Sequence, residues 1–587
     1  MTAALHGARW AGLAEVRGSG TGEPDLWCTY AAVRTLAWLG RTEEATAPEA
    51  TARYLLSRRN SDGGYAWSAG MTSDAWATFY CTQALRDLGH PLTARERTTA
   101  WLESTWTGEA YGMVPGQGAE VWATHFSTRT AASLGRDWPD PDRSRLLSWL
   151  GALQAEDGGL GWTPADARRG RTDVRACYYG VLAWTAAVGT EPPPWDVARL
   201  VGWLRARQDA SGGFRFAPST EVPCLWATYR AVGALAALGA GPAGADECVR
   251  WVRGLRGAGG AFVRWQGYPV EDVWASFCAV GVLRALGADA DVAAVAEPVA
   301  RRIGELACPD GGYTYREPER ADDALSTAAA ALLPDTVGPR RAELVRWLEG
   351  CRLPNEGGVM YMPGRGAEIR CTLWAVAAGA FADDAEGRAG IARWLAELQN
   401  DDGGFGYWSG RGSDLVSTAS AVETLRLLGV PVPGLLDVSG LLAFTASCAS
   451  PDGGHGPVPG APPGLRAGLQ ARRVLAAAGA PVPDLAPLLD RHRVRGGGYA
   501  DQGRRLPDLL STYEAAVAVE RGGREPEGDA LEPFLASVGR SEEGIAWTPL
   551  SPTGGGPLAG LLGTLLRDRT GPGPRRVAGL LPALALS

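Results

Sequence analysis

The residues best suited to chemistry lie near the middle of the chain, in DGGYTYREPERADDALSTAAAALL, where Asp322 and Asp323 stand side by side. A carboxyl buried in an apolar cavity beside a second carboxylate has its pKa raised and keeps its proton, so such a pair can serve as a general acid. The two acids are not equivalent. Asp323 precedes Ser-Thr with the spacing of Asp414 in DLVST and Asp508 in DLLST, so it reads first as the capping acid of a helix. Asp322 is the additional one. A similar doubling recurs at Glu271–Asp272, so the pairing alone does not establish a site.

Other chemistries are poorly provided for. All 57 basic side chains are arginine, which excludes Schiff-base lysine catalysis and the GK[ST] phosphate loop. The ten cysteines form no CxxC and none has the histidine spacing of a zinc site. Several fall in apolar stretches such as WASFCAV, where a small buried thiol is the simplest reading. Two acidic pairs, Asp383–Asp384 and Asp289 with Asp291, read as solvated turns between helices. A net charge of -8 without a long basic run speaks against nucleic acid as a partner. The start, MTAALHGARWAGLAEVRG, lacks a charged segment followed by an apolar core. No apolar run approaches the roughly 20 residues that cross a bilayer. A cytoplasmic protein without a transmembrane segment is expected.

The elements that must position these residues repeat along the chain. One half of the unit reads acid, apolar helix, Leu-Gly, as in DLWCTYAAVRTLAWLG from Asp25, DAWATFYCTQALRDLG from Asp74 and DLVSTASAVETLRLLG from Asp414. Weaker copies begin at Asp173, Glu221 and Glu368. The other half is an amphipathic helix ending in Gly-Gly and usually an aromatic, as in LLSRRNSDGGYAW, LQAEDGGLGW and LQNDDGGFGYW. The acid accepts from free backbone N–H groups at the helix start, and the final Gly supplies a left-handed cap. Each unit is therefore a helical hairpin, with the apolar helix inside and the amphipathic one outside. About twelve hairpins follow, by the repeat logic for units of this period. Closing them into two rings of six buries the sticky ends that an open solenoid would leave. The expected fold is all-α, two tandem (α/α)6 barrels at 21–315 and 316–587, with 1–20 packing on a barrel.

The segments DGGYAW, LQAEDGGLGW and LQNDDGGFGYW resemble the glutamine–tryptophan repeats of squalene–hopene cyclases and of the wider family that includes protein prenyltransferase β subunits. The resemblance covers nearly the whole chain as a repeat and an architecture, and it implies several possible activities. The zinc-dependent protein prenyltransferase branch is disfavoured: of five histidines only His125 lies on an inner helix, with no Asp-x-Cys segment beside it. REPERADDALST resembles instead the DxDD motif of class II terpene cyclases, most closely the bacterial diterpene cyclases built from two barrels. In that alignment Arg320 takes the first Asp position, Asp322 the central, proton-donating one, and Asp323 the last.

The resemblance implies an isomerase that protonates and cyclises a linear isoprenyl diphosphate, geranylgeranyl diphosphate being the first choice, with the diphosphate retained and Mg2+ bridging it to the protein. A carbocation needs aromatic walls and exclusion of water, for which Trp274, Tyr313, Tyr315 and Trp374 are candidates, each also readable as core. Arg320 departs from the motif. It points to the substrate's diphosphate, or Glu319 supplies the missing carboxyl, or Asp322 is ion-paired and the barrel does not protonate. Two rival readings are a prenyltransferase-like barrel joining an isoprenoid to a non-protein acceptor, and a non-catalytic double barrel that binds a lipid or another protein.

Overall fold

Inner helices begin where an acid can cap them. Asp25, Asp74, Asp272, Asp323, Asp414 and Asp508 each accept from the backbone N–H three residues on. The computed structural model describes residues 24–570, apart from 68–71, 218–219, 269–270, 315–322, 334–335, 362–365, 524–527, 541–543, 551–555 and the single positions 137, 190, 410, 452 and 505. The structure corrects two readings of the repeat. The helix Leu225–Ala237 is capped by Cys224, whose sulfur accepts from Ala227 N–H, and not by Glu221. Asp289 and Asp291 form no inter-helix turn but open the helix Asp289–Glu305, where acids complement the dipole.

The chain divides into two compact units, Gly18–Ala321 and the portion from Asp322 onward. In the first, the inner helices Leu26–Trp38, Ala75–Asp87, Val121–Ser133, Val174–Val188, Leu225–Ala237 and Val273–Ala285 each pack on the next, and the sixth packs on the first. In the second, Ala324–Leu332, Ile369–Ala377, Leu415–Leu428, Leu465–Ala477, Leu509–Arg521 and Gly556–Thr570 close in the same way. The molecule is all-α, with a single two-residue ladder, Gly539–Arg540 with Gly544–Ile545, among the described residues. Outer helices bury one stripe only; in Val197–Arg205 it is Leu200, Trp203 and Leu204.

The Gly-Gly turn is a steric requirement. Gly63 has φ +96°, and a Cβ there would lie 2.5 Å from the Arg97 backbone; one on Gly64 would lie 2.7 Å from the Trp101 ring. The aromatic that follows is then tied to its own inner helix by a hydroxyl: Tyr65 N–H donates to Thr78 Oγ1 (3.0 Å), Phe405 to Thr418 (3.0 Å) and Tyr499 to Thr512 (2.9 Å). The same bond seals the first ring, because Tyr313 N–H donates to Thr29 Oγ1 (3.0 Å) across 284 residues and Asp25 N–H donates to Tyr313 O (2.9 Å). The first residue of successive inner helices donates to the turn of the next repeat, as Ala324 to Tyr361 O, Ile369 to Tyr407 O, Leu415 to Pro457 O and Leu465 to Asp501 O. All inner N-termini of a ring therefore share one end.

Candidate active site

The expected site residues fall in different places. Trp274 and Tyr313 belong to the first unit, Asp323 and Trp374 to the second. Asp322, Arg320 and Tyr315 lie outside the described residues, as does the 1–20 segment. Tyr313 is fully buried in the seam of the first ring, and its hydroxyl accepts from Thr46 N–H (3.1 Å). Trp274 packs edge-on against Trp27 (5.2 Å) and Phe277 (4.9 Å) in the lumen of that ring. Trp374 is 1% exposed on the helix Ile369–Ala377 of the second.

The first lumen is filled with rings. Trp27 meets Trp76 (5.3 Å), Trp226 (6.2 Å) and Trp274, and Trp76 meets Trp122 (4.6 Å). One turn further in, Tyr30 stacks on Tyr80 (4.1 Å) and Tyr178 meets Tyr229 (5.5 Å). Guanidiniums here lie over aromatic faces: Arg129 over Phe79 (4.6 Å), Arg34 over Trp38 (5.2 Å) and Arg230 over Tyr179 (5.7 Å). His125 is buried among these rings, and burial, reinforced by Arg129 and Arg230, pushes its pKa well below the usual histidine value. It is a neutral core residue.

The second ring is polar at both ends. At the N-terminal end Asp323, 3% exposed, accepts from Ser326 N–H (2.7 Å) and Ser326 Oγ (2.6 Å), one bond to each oxygen. In the next two repeats, Glu368 accepts from Arg370 Nε (2.7 Å) and Asp414 from Ser417 N–H (2.7 Å) and Oγ (2.8 Å). Burial raises the Asp414 carboxyl above the ordinary value despite those bonds and Arg370. Among the described residues no group of three or more His, Cys, Asp and Glu converges to hold a metal ion. Glu368 and Asp414 are already bonded to protein donors.

At the C-terminal end a cavity of about 740 Å³ opens between the last turns of Leu415–Leu428, Leu465–Ala477 and Leu509–Arg521. Arg426, Arg472, Arg473, Arg521 and Glu423 line it. Glu423 accepts from Arg426 (2.7 Å) and, across the ring, from Arg521. Burial alone would raise its pKa, but the two guanidiniums bring it down to about 2. Deeper in the ring, both carboxyl oxygens of fully buried Glu514 accept from Gln470 Nε2 (2.8 and 3.0 Å), and burial pushes its pKa up to about 7 against the pull of Arg473 and Arg466. Sequence reasoning missed this whole end. Its signal was an acid inside an otherwise apolar helix, Glu423 in AVETLRLLG and Glu514 in STYEAAVAV.

Comparison with known proteins places the repeat. The family model for the prenyltransferase alpha-alpha toroid domain matches residues 13–74, 66–190, 189–359 and 323–464. Drimenyl diphosphate synthase of Streptantibioticus cattleyicolor is 30% identical over 223 residues, which cover 35% of this chain and 38% of that enzyme. The match thus spans well under half the length of that relative. Among solved structures, the type II terpene cyclase MstE from Scytonema superposes with a TM-score of 0.32 at 16% identity, covering 46% of this chain and 88% of that one. Candida albicans protein geranylgeranyltransferase-I, complexed with GGPP, gives 0.33 at 14% identity, covering 42% and 84%. No helix among the described residues is long and apolar enough to cross a membrane.

Proposed function

Because the chain belongs to the prenyltransferase alpha-alpha toroid family, we propose that it is a class II terpene cyclase that protonates and cyclises a linear isoprenyl diphosphate, with the diphosphate kept in the product. Its similarity to drimenyl diphosphate synthase, an enzyme named for a diphosphate-bearing product, supports the reading. One observation carries it at the level of residues. Asp323 has a hydrogen bond on each oxygen as the cap of Ala324–Leu332, so the proton-donating role is given to the other acid of the pair, Asp322.

In the proposed cycle the Asp322 carboxyl gives its proton to the terminal C=C of the chain. The next double bond attacks the resulting cation, closing a ring and moving the charge along the chain. A base then removes a proton to leave a new double bond. Bonds and charge balance, so the product is an isomer of the substrate. Asp323 acts as a positioning residue: its side chain caps the helix Ala324–Leu332 and so fixes where the chain leaves the motif. Arg320 is assigned to the diphosphate, where a guanidinium fork matches phosphate oxygens. Trp374 is assigned to the cation, whose charge an indole face would stabilise.

Incubation of the purified chain with geranylgeranyl diphosphate in D2O tests this. One deuterium in a cyclised, diphosphate-bearing product is expected from the wild type, and none from Asp322→Asn. Equal turnover by both proteins would remove Asp322 from the mechanism. Release of diphosphate only when an acceptor is added would point to prenyl transfer instead.

A further inference from the structure

We propose that the cavity at the C-terminal end of the second ring is a binding site for a diphosphate carried on an apolar stem, separate from the acid end at Asp323. The inner helices of the ring run parallel, and Leu415–Leu428 has 14 residues, so about 20 Å of helix separates the two ends. Charge and shape at this end define the site, whether or not the other end cyclises a substrate.

Four guanidiniums line this cavity, those of Arg426, Arg472, Arg473 and Arg521, against the single lining carboxylate of Glu423. Glu423 is shared between Arg426 and Arg521. Arg473 sits 3.8 Å from Glu514 and donates to Gln470 (3.3 Å). Arg472 has no ion pair or hydrogen bond among the described residues, and its Nη1 is buried. Burial lowers its pKa from the ordinary arginine value, with Asp484 opposing. A half-buried guanidinium whose inner nitrogen has no partner leaves a donor unsatisfied, and an anion entering the cavity supplies the acceptor. Arginine forks match phosphate oxygens in pairs.

The remaining wall is apolar, with Val422, Val432, Leu469, Val482 and Ala518 among the lining residues. The volume of about 740 Å³ lies within the range of small-molecule sites and exceeds what an inorganic anion fills. The occupant is therefore amphiphilic, a charged head on the arginines and a hydrocarbon along the valine and leucine wall. The last turns of three helices present carbonyl ends here, which repel anions, so the arginines are needed to make the site anionophilic.

Titration calorimetry on the full chain tests the proposal with inorganic pyrophosphate, geranylgeranyl diphosphate and geranylgeraniol. Saturable pyrophosphate binding is expected, at least tenfold tighter with the prenyl stem attached and undetectable for the alcohol. Arg472→Gln should weaken pyrophosphate binding at least tenfold, and raising the salt should weaken it in the wild type. Ala518→Phe, which fills the apolar wall and leaves every charge, should weaken the prenyl diphosphate while sparing pyrophosphate. That second variant keeps the test sound if Arg472→Gln folds poorly. Asp323→Asn should bind pyrophosphate like the wild type, which separates this site from the proposed acid. No pyrophosphate binding by the wild type, or equal affinity in Arg472→Gln, overturns the proposal. Loss of pyrophosphate binding in Asp323→Asn overturns its separateness.

Discussion

The two rings carry the same repeat and put opposite contents in their lumens. At the second position of each inner helix the first ring has Trp27, Trp76, Trp122, Arg175, Trp226 and Trp274, whereas the second has Leu325, Arg370, Val416, Arg466, Leu510 and Pro557. Where indoles meet across the first ring, the second has shorter side chains and arginines. At the other end the same contrast holds. Arginines of the first ring lie on aromatic faces, Arg34 being paired with Asp87 as well, while those of the second share Glu423 and face open space. A closed ring of hairpins needs only its caps, turns and hydroxyl staples to hold together. The lumen is then left to vary, as packed core in one ring and as a charged chamber in the other.

The largest effect that can test this contrast is a cavity in the first lumen. Trp27 touches three other indoles, so Trp27→Ala should cost about 3–5 kcal/mol. Leu510→Ala at the matching position of the second ring, with less side chain to lose, should cost about 2–3 kcal/mol. Urea unfolding measures both. Equal losses would mean that the first lumen is less tightly packed than its ring contacts imply.

The chamber of the second ring should announce itself in pH dependence, through two buried glutamates of opposite sign. Glu514 is raised to about 7 from the ordinary value of 4.5. The folded state therefore holds a proton that the unfolded chain releases above pH ~4.5, and its contribution to stability is present below that pH and lost as pH rises toward 7. Glu514→Gln should flatten that decline, with a difference of up to ~3 kcal/mol between pH 4.5 and 7.5. Glu423, at about 2, has the reverse sign. Its contribution is present above pH ~4.5 and lost as pH falls toward 2, so Glu423→Gln should cost ~2 kcal/mol at neutral pH and little near pH 2. Chemical denaturation across pH reads both. A wild type whose stability does not change between pH 4.5 and 7 would show that Glu514 is not held in its protonated form.

Sequence pattern carried the architecture well because the repeat is dictated by local physics: an acid to start, Leu-Gly to stop, Gly-Gly where a neighbouring backbone passes close. It failed where another group took over the local job. Cys224 caps a helix in place of an acid, and Gly464 begins Leu465–Ala477 with no side-chain cap at all, so that helix gave no acid to read. The hydroxyl staple was visible only as a threonine in DLVST and DLLST, since nothing in one repeat shows that its oxygen serves a turn 13 residues earlier. Asp323 stood out as both cap and site residue, and the structure supplies the cap. The arginine cavity was hidden because its members are dispersed over three repeats, and each alone resembles an ordinary cation at a helix C-terminus.

The smallest effect concerns the staple that both rings share. Thr418→Val removes a bond between residues 13 apart, and Thr29→Val removes its counterpart between residues 284 apart. In each, a buried N–H loses its acceptor, so each should cost about 1–2 kcal/mol. The equilibrium costs should match within error, because the wide loop of the first ring is also closed by Asp25 N–H on Tyr313 O and Gly312 N–H on Thr51 Oγ1. The difference should lie in local opening. With Thr29 gone, the turn 308–314 is held to the start of the ring through Asp25, Thr46 and Thr51, all reached across the long loop, and its amides should exchange with solvent faster than those of the turn 400–405 in Thr418→Val. Amide hydrogen exchange on the two variants measures this. Equal exchange at both turns would mean that the seam of the first ring is held no differently from any joint inside it.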